Sequence, residues 1–161
     1  MSNRLIDPFG RTVEYIRLSV TDRCDLRCFY CLPGDYRDFS EPEEWLSFDE
    51  IERVIRAFAA LGVQRVRITG GEPLVRKNLP ALVSQLSGIP GLDDLSLSTN
   101  AVSLSRQAAA LKSAGISRIN VSLDSLRAGR FKDITKGNLD KVVNGLMTAK
   151  QAGFDPIKIN M

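Results

Sequence analysis

One pattern recurs four times along the chain: a helical stretch, a glycine, one apolar residue, two spacer residues and an alternating strand. Gly62-Val63 precedes Val66-Arg67-Ile68, Gly91-Leu92 precedes Leu95-Ser96-Leu97, Gly115-Ile116 precedes Ile119-Asn120-Val121, and Gly153-Phe154 precedes Ile157-Lys158-Ile159. Each copy is a βα unit, which cannot bury its apolar side alone and must stack on its neighbours. The glycines suit helix C-terminal caps, where a left-handed backbone costs them nothing. The preceding helices carry the matching apolar period: Ile51, Val54, Ile55 and Phe58; Leu79, Leu82, Val83 and Leu86; Leu139, Val142, Val143 and Leu146. Ser47 with Glu50 three residues on is a capping box opening the first of them.

With the run Tyr15 to Val20 added, the spacing predicts five strands and about four helices, connected by crossovers long enough to make neighbouring strands parallel. Such an α/β array closes, wholly or partly, as a TIM-like barrel, or lies open as a doubly wound sheet. No Gly-x-Gly-x-x-Gly turn follows any strand, which favours the barrel.

The strands carry a second message. Both faces of a packed parallel strand are normally apolar, yet one face here is polar throughout: Arg17 and Ser19, Arg67 and Thr69, Ser96 and Ser98, Asn120, Ser122 and Asp124, Lys158 and Asn160. The alternates Ile16, Leu18, Val66, Ile68, Leu97, Val121, Leu123, Ile157 and Ile159 would face the helices. The expected lumen is then a polar cavity in which Arg17, Arg67 and Lys158 outnumber Asp124, suited to an anionic, phosphate-bearing guest.

Composition narrows the chemistry. The 161 residues, 43% hydrophobic and 25% charged, are enough for one core. No apolar run is long enough to span a membrane. A formal charge of +3 is too small and dispersed to argue for nucleic-acid binding. The absence of histidine removes Ser-His-Asp and Cys-His catalysis, leaving cysteines, carboxylates, lysines or a cofactor.

The three cysteines lie within eight residues, Cys24-Asp25-Leu26-Arg27-Cys28-Phe29-Tyr30-Cys31, directly after the first strand. Three thiolates on one short loop read as a metal site. A four-iron cluster held by three cysteines keeps one iron free to bind something else. Zinc would require a fourth ligand from a carboxylate or another molecule, and a metal-free cluster of small buried side chains is the third reading. An odd cysteine number argues against a secreted disulfide framework, and free thiols fit a reducing cytoplasm.

The loop Cys24-x-x-x-Cys28-x-x-Cys31 with Tyr30, followed about 40 residues later by Gly70-Gly71-Glu72-Pro73 at a strand end, resembles the radical S-adenosylmethionine (SAM) superfamily. The resemblance implies that Cys24, Cys28 and Cys31 hold a [4Fe–4S] cluster whose open iron is chelated by SAM. Reductive cleavage of SAM would then yield a radical that takes a hydrogen from substrate. Five further segments narrow the match: Arg17 to Cys24, Arg67 to Leu74, Ser98-Thr99-Asn100, Asn120 to Leu126 and Lys158-Ile159-Asn160. They resemble the GTP 3′,8-cyclase family of molybdenum cofactor biosynthesis, lyases that join C3′ of GTP to guanine C8. That likeness implies SAM contacts at Tyr30, Gly70, Gly71, Glu72 and Ser122, and GTP contacts at Arg17, Arg67, Ser98 and Lys158. It also implies a protein reductant such as flavodoxin or ferredoxin. A different radical SAM enzyme acting on a peptide, and an inactive metal-binding remnant, are the alternative readings.

Two departures follow from the resemblance. Ala101 stands where the family's loop carries glycine, and alanine resists a positive φ there. The family's last barrel strand, and a C-terminal region bearing a second cluster, have no counterpart. Residues 1–161 are therefore expected to form the N-terminal portion of a radical SAM barrel, as a fragment, a truncated product or half of a split protein. A second copy or a complementary C-terminal segment would cover the last strand's edge. The stretches Leu32 to Trp45 and Arg127 to Gly137 read as polar connections.

Overall fold

The computed structural model describes residues 4–31, 33 and 35–161. Among them, five strands are joined by α-helices, one in each of the first three crossovers and two in the last: β1 (Tyr15–Ser19), α1 (Phe48–Ala60), β2 (Arg65–Thr69), α2 (Leu79–Ser87), β3 (Asp94–Thr99), α3 (Ala108–Ala114), β4 (Arg118–Ser122), α4 (Ala128–Thr135), α5 (Leu139–Gln151) and β5 (Ile157–Asn160). The sheet is parallel throughout, with spatial order β1-β2-β3-β4-β5. A doubly wound sheet reverses its order at a switch point, so this sequential order is that of a barrel, here an incomplete one. No helix is long and apolar enough to cross a membrane among the described residues.

The core lies between the helices and one face of the sheet. Val66, Ile68, Leu97, Ile119 and Val121 are fully covered there by Ile51, Ile55, Leu79, Leu82, Leu86, Leu111 and Phe154. The edge strands are less protected: Ile16 and Leu18 are half-buried, and Ile159 on β5 is exposed. Ser47 caps α1 as its spacing predicts, accepting from Glu50 N while Glu50 Oε2 accepts from Ser47 N at 2.8 Å.

The repeating glycines take positive φ: Gly62 94°, Gly91 83°, Gly115 119° and Gly153 84°. Gly62 and Gly153 lie one residue past their helix caps and Gly115 is a cap itself. Gly91 differs from expectation. Helix α2 stops at Ser87 with Gly88 as a right-handed cap, and Gly91 turns the chain that follows.

Two further readings are corrected. Val54 and Val143 sit on the apolar period of their helices but are exposed, because the sheet is covered by a narrower stripe; on α5 that stripe is Val142, Gly145 and Ala149. Gly145 is required there, since a Cβ would lie 2.4 Å from Ala101 O. The stretch read as a connection from Arg127 to Gly137 contains α4, anchored by buried Phe131 and Thr135. Leu32 and Gly34 of the expected loop lie outside the described residues; its remainder includes a 3₁₀ turn at Pro42–Glu44 and Trp45, stacked between Arg23 and Arg76.

Candidate functional site

Parallel strands bring all their C-terminal ends to one rim, and the loops leaving β1, β2 and β3 are fastened to one another there. The β1–β2 ladder runs on past the strands, with Gly71 N donating to Thr21 O at 2.7 Å and Glu72 N to Arg23 O at 2.8 Å. This pairing leaves no room for side chains. A Cβ on Gly70 would fall 2.5 Å from Thr21 O, and one on Gly71 2.5 Å from both Asp22 O and Arg23 O. Gly70 and Gly71 are thus dictated by close backbone approach rather than by a turn conformation.

Glu72 turns inward and is 1% exposed. Its Oε1 accepts from Thr99 Oγ1 at 2.7 Å and Leu74 N at 3.0 Å, and its Oε2 from Asn100 N at 2.7 Å. Burial pushes its pKa up to about 7, against the hydrogen bonds that favour the carboxylate. The Glu72 carboxylate is therefore engaged inside the protein, where it clamps the β2 and β3 loops together and leaves only the backbone of this position for a cofactor.

The cysteine loop hangs on this frame and on α4. Arg27 N donates to Thr135 O at 2.9 Å and Phe29 N to Ile134 O at 3.1 Å, so the carbonyls ending α4 hold the loop from behind. Cys24 and Cys28 are half-buried and Cys31 is exposed; all three are free thiols. Burial raises the Cys24 thiol to about 11 and raises Cys28 as well, with the Asp25 and Glu72 carboxylates adding to the effect at Cys24 and Asp124 at Cys28. Tyr30 Oη donates to Asp124 Oδ1 at 2.9 Å, joining this loop to the one after β4. Ser122 ends β4 on the same rim, exposed.

Below the rim, strand register assembles the polar face. Arg17 pairs with Arg67 and Arg67 with Ser96, and Ser98 pairs with Asn120 and Asn120 with Lys158. Paired residues on adjacent parallel strands share a face, so the residues expected to contact an anionic guest line one surface. Arg67 is held in place there: its guanidinium lies 5.5 Å from the Tyr15 ring centroid, its Nε 3.5 Å from Ser96 Oγ, and Asn120, oriented to satisfy its neighbours, accepts from both terminal nitrogens at 3.2 Å. Arg17 and Lys158 have no ion-pair partner among the described residues.

Sequence reasoning missed two members of this face. Arg118 pairs with Ser96 and helps line a cavity of about 250 Å³ with Arg67, Asn120 and Lys158. Tyr15 alternates with Arg17 on β1. In the repeat Arg118 reads as a spacer before β4, whereas alternation from Asn120 backwards puts it on this face. Arg118 is partly neutralised by Asp94.

Comparison with known proteins decides between the readings of the cysteine loop. The model of the Radical SAM superfamily matches residues 18–161. The chain belongs to that superfamily. The radical SAM assignment brings with it a [4Fe–4S] cluster and SAM. The chain is 51% identical to the GTP 3′,8-cyclase of Hydrogenovibrio crunogenus, covering 98% of this chain and 48% of that protein, and 51% identical to the GTP 3′,8-cyclase of Ectopseudomonas mendocina, covering 99% and 48%. It spans about half the length of the curated relatives it matches. Among solved structures, Streptococcus suis SuiB bound to S-adenosylmethionine superposes with a TM-score of 0.76 at 19% identity, over 92% of this chain and 33% of that one. Methylornithine synthase superposes with a TM-score of 0.70 at 16% identity, over 98% and 44%. At these identities the structural likeness speaks for the radical SAM barrel alone.

The residues present fit the superfamily's cofactors. Among the described residues, no three histidine, cysteine, aspartate or glutamate side chains converge as a single metal ion requires. A four-iron cube makes no such demand, because each thiolate holds a different iron. Three free thiols on one loop supply three of its four positions. The same loop is braced by Gly70 and Gly71, whose lack of side chains lets the strand-end backbones of β1 and β2 close up directly before Cys24.

Proposed function

We propose that this chain is the cluster- and SAM-binding portion of a GTP 3′,8-cyclase, with residues 1–161 forming the N-terminal part of its barrel. The observation that carries the reading is the coincidence of two surfaces on one sheet: the cysteine and glycine loops at the rim, and the cationic row beneath them. Cys24, Cys28 and Cys31 are the cluster ligands. Tyr30, Gly70, Gly71 and Ser122 line the SAM position, with Glu72 contributing through its backbone, since its carboxylate is spent on Thr99, Leu74 and Asn100. When bound, the cluster supplies the electron that splits SAM at the mouth of the lumen.

The part of substrate binding that this half of the barrel can supply falls to its polar face. Arg17, Arg67 and Lys158 neutralise the triphosphate of GTP, and Ser98 offers a hydroxyl that both donates and accepts. Arg67 is preorganised by Tyr15, Ser96 and Asn120, so little side-chain freedom is lost when it meets a phosphate. A nucleotide held by its phosphates on this face would have its ribose and base directed toward the rim, where Cys24, Cys28 and Cys31 would hold the cluster.

The reading carries with it a protein reductant such as flavodoxin or ferredoxin, a reducing cytoplasmic setting, and a cover for β5, from a second copy or a complementary C-terminal segment. The exposed Ile159 supports the last of these. The test is the electron paramagnetic resonance spectrum of the anaerobically reconstituted, dithionite-reduced protein with and without SAM. A reduced four-iron signal that changes on adding SAM is expected; a protein that takes up only zinc, or a cluster indifferent to SAM, would overturn the assignment.

A further inference from the structure

Cys24 does not face the protein bare. Its Sγ accepts from Leu26 N at 3.4 Å, and the side-chain amide of Asn100 lies 3.9 Å away with its nitrogen toward the sulfur. Asn100 comes from the end of β3, 76 residues along the chain, is 9% exposed, and makes further contacts that leave its orientation no choice. Oδ1 accepts from Val102 N at 2.9 Å, which obliges Nδ2 to turn the other way. There, one of its two hydrogens goes to Asp25 Oδ1 at 2.7 Å and the second is left for Cys24 Sγ. Asp25 is steadied in turn by Ser103 Oγ at 3.5 Å, and the Asn100 backbone is pinned by Glu72 Oε2.

We propose that Asn100 is a positioning residue that donates a hydrogen bond to Cys24 Sγ and so sets the reduction potential of the cluster this loop holds. The inference rests on the reading of the cysteines as cluster ligands. A donor at a thiolate sulfur draws off negative charge, and the reduced cluster, with one more electron, gains more from this than the oxidised one. Loss of the donor therefore makes the cluster harder to reduce. The Leu26 donor is backbone and present whatever side chains surround it; Asn100 is the adjustable one. Hydrogen bonding to Asp25 polarises the amide, which strengthens its remaining N–H as a donor.

Asn100→Asp keeps the bond to Val102 N and removes both donor hydrogens but adds a negative charge that lowers the potential by itself, so the charge-neutral Asn100→Ser is measured beside it and a fall in both is required. Cluster content is read from visible absorbance, and the midpoint potential from a redox titration of the electron paramagnetic resonance signal. At a fixed potential near the midpoint, the reduced-to-oxidised ratio is expected to fall roughly tenfold, which is about 59 mV for a one-electron couple. Asn100→Ser, too short to reach the sulfur, should shift the potential in the same direction by less. The paired exchange Asp25→Asn with Asn100→Asp separates sulfur donation from simple bracing. It restores the bond between the two side chains but leaves no donor at the sulfur, so stability should return while the potential stays low. Ser103→Ala, which touches Asp25 and not the sulfur, should leave the potential unchanged. A wild-type potential in Asn100→Asp, in Asn100→Ser or in the paired exchange, or an equal shift in Ser103→Ala, would overturn the inference. A chain that takes up no four-iron cluster at all would defeat the cluster reading itself, and this inference with it.

Discussion

The rim of the barrel and the floor of its lumen are built on opposite plans. At the rim, Thr99 and Asn100 donate to buried Glu72, and Gly70 and Gly71 pack against the backbone of Thr21, Asp22 and Arg23 with no room for an extra atom. On the floor, Arg17, Arg118 and Lys158 are exposed, and only Arg67 is enclosed by several partners. The rim thus holds its shape before any ligand arrives, whereas the floor presents charge that a ligand must complete. Substitutions at the rim should be felt as lost stability, and those on the floor as lost affinity.

The sharpest test of that contrast is Gly71→Ala. Its new methyl must displace backbone oxygens of Asp22 and Arg23, and overpacking of this kind costs about 3 kcal/mol. Urea denaturation should register the loss, together with reduced cluster uptake; a stability close to that of the parent would break the comparison.

Next in size is the pH dependence due to Glu72. Its folded pKa, near 7, lies above the ordinary carboxylate value of 4.5, so burial favours the protonated form. Its contribution is full below about pH 4.5 and is lost as pH rises through about 7, on the order of 3 kcal/mol from the size of the shift. Glu72→Gln should flatten that slope in denaturation series from pH 5 to 8, at some cost from the lost acceptor for Asn100 N. An unchanged slope would show that another group sets it.

On the floor, Arg67→Ala should weaken GTP binding roughly tenfold, about 1.4 kcal/mol, with SAM binding largely intact. Equal loss of both ligands, measured by equilibrium dialysis, would dissolve the distinction between the regions.

Ala101→Gly brings a smaller change. Ala101 is fully buried with φ at 63°, a left-handed conformation costing a side chain about 1 to 2 kcal/mol. Glycine removes that strain but forfeits a buried methyl and gains freedom when unfolded, leaving a net stabilisation of about 1 kcal/mol or less. Least of all, Val54→Lys and Val143→Lys should stay within about 0.5 kcal/mol, since neither side chain is enclosed. A larger loss in either would mean that another surface covers these helices.

Much of this architecture was legible because period and chemistry coincide. Five strands, their parallel order and the polar face follow from alternation repeated in units, and the cysteine spacing points to its cofactor without any coordinate. Bonds between distant loops left no such trace. Asn100 meets Cys24, and the Glu72 carboxylate clamps the β2 and β3 loops, through contacts between residues 27 to 76 positions apart, which no local pattern announces. Helix α4 escaped notice because its apolar face is short, with Phe131 and Thr135 as its buried members. Ala101 was recognised as ill suited to a positive φ; the structure adopts that φ regardless, since surrounding backbone, including the close approach of Gly145, determines the loop.

The bond from Tyr30 to Asp124 reaches from the loop after β1 to the loop after β4, across the opening of the lumen, and both partners stand on the surface side of the core. A bond between such partners is worth about 1 kcal/mol, far less than the contacts that set the rim on either side of it. It ties the cysteine loop to the loop after β4 and to nothing else at the rim, so its loss would leave the β2 and β3 loops fastened by Glu72 as before.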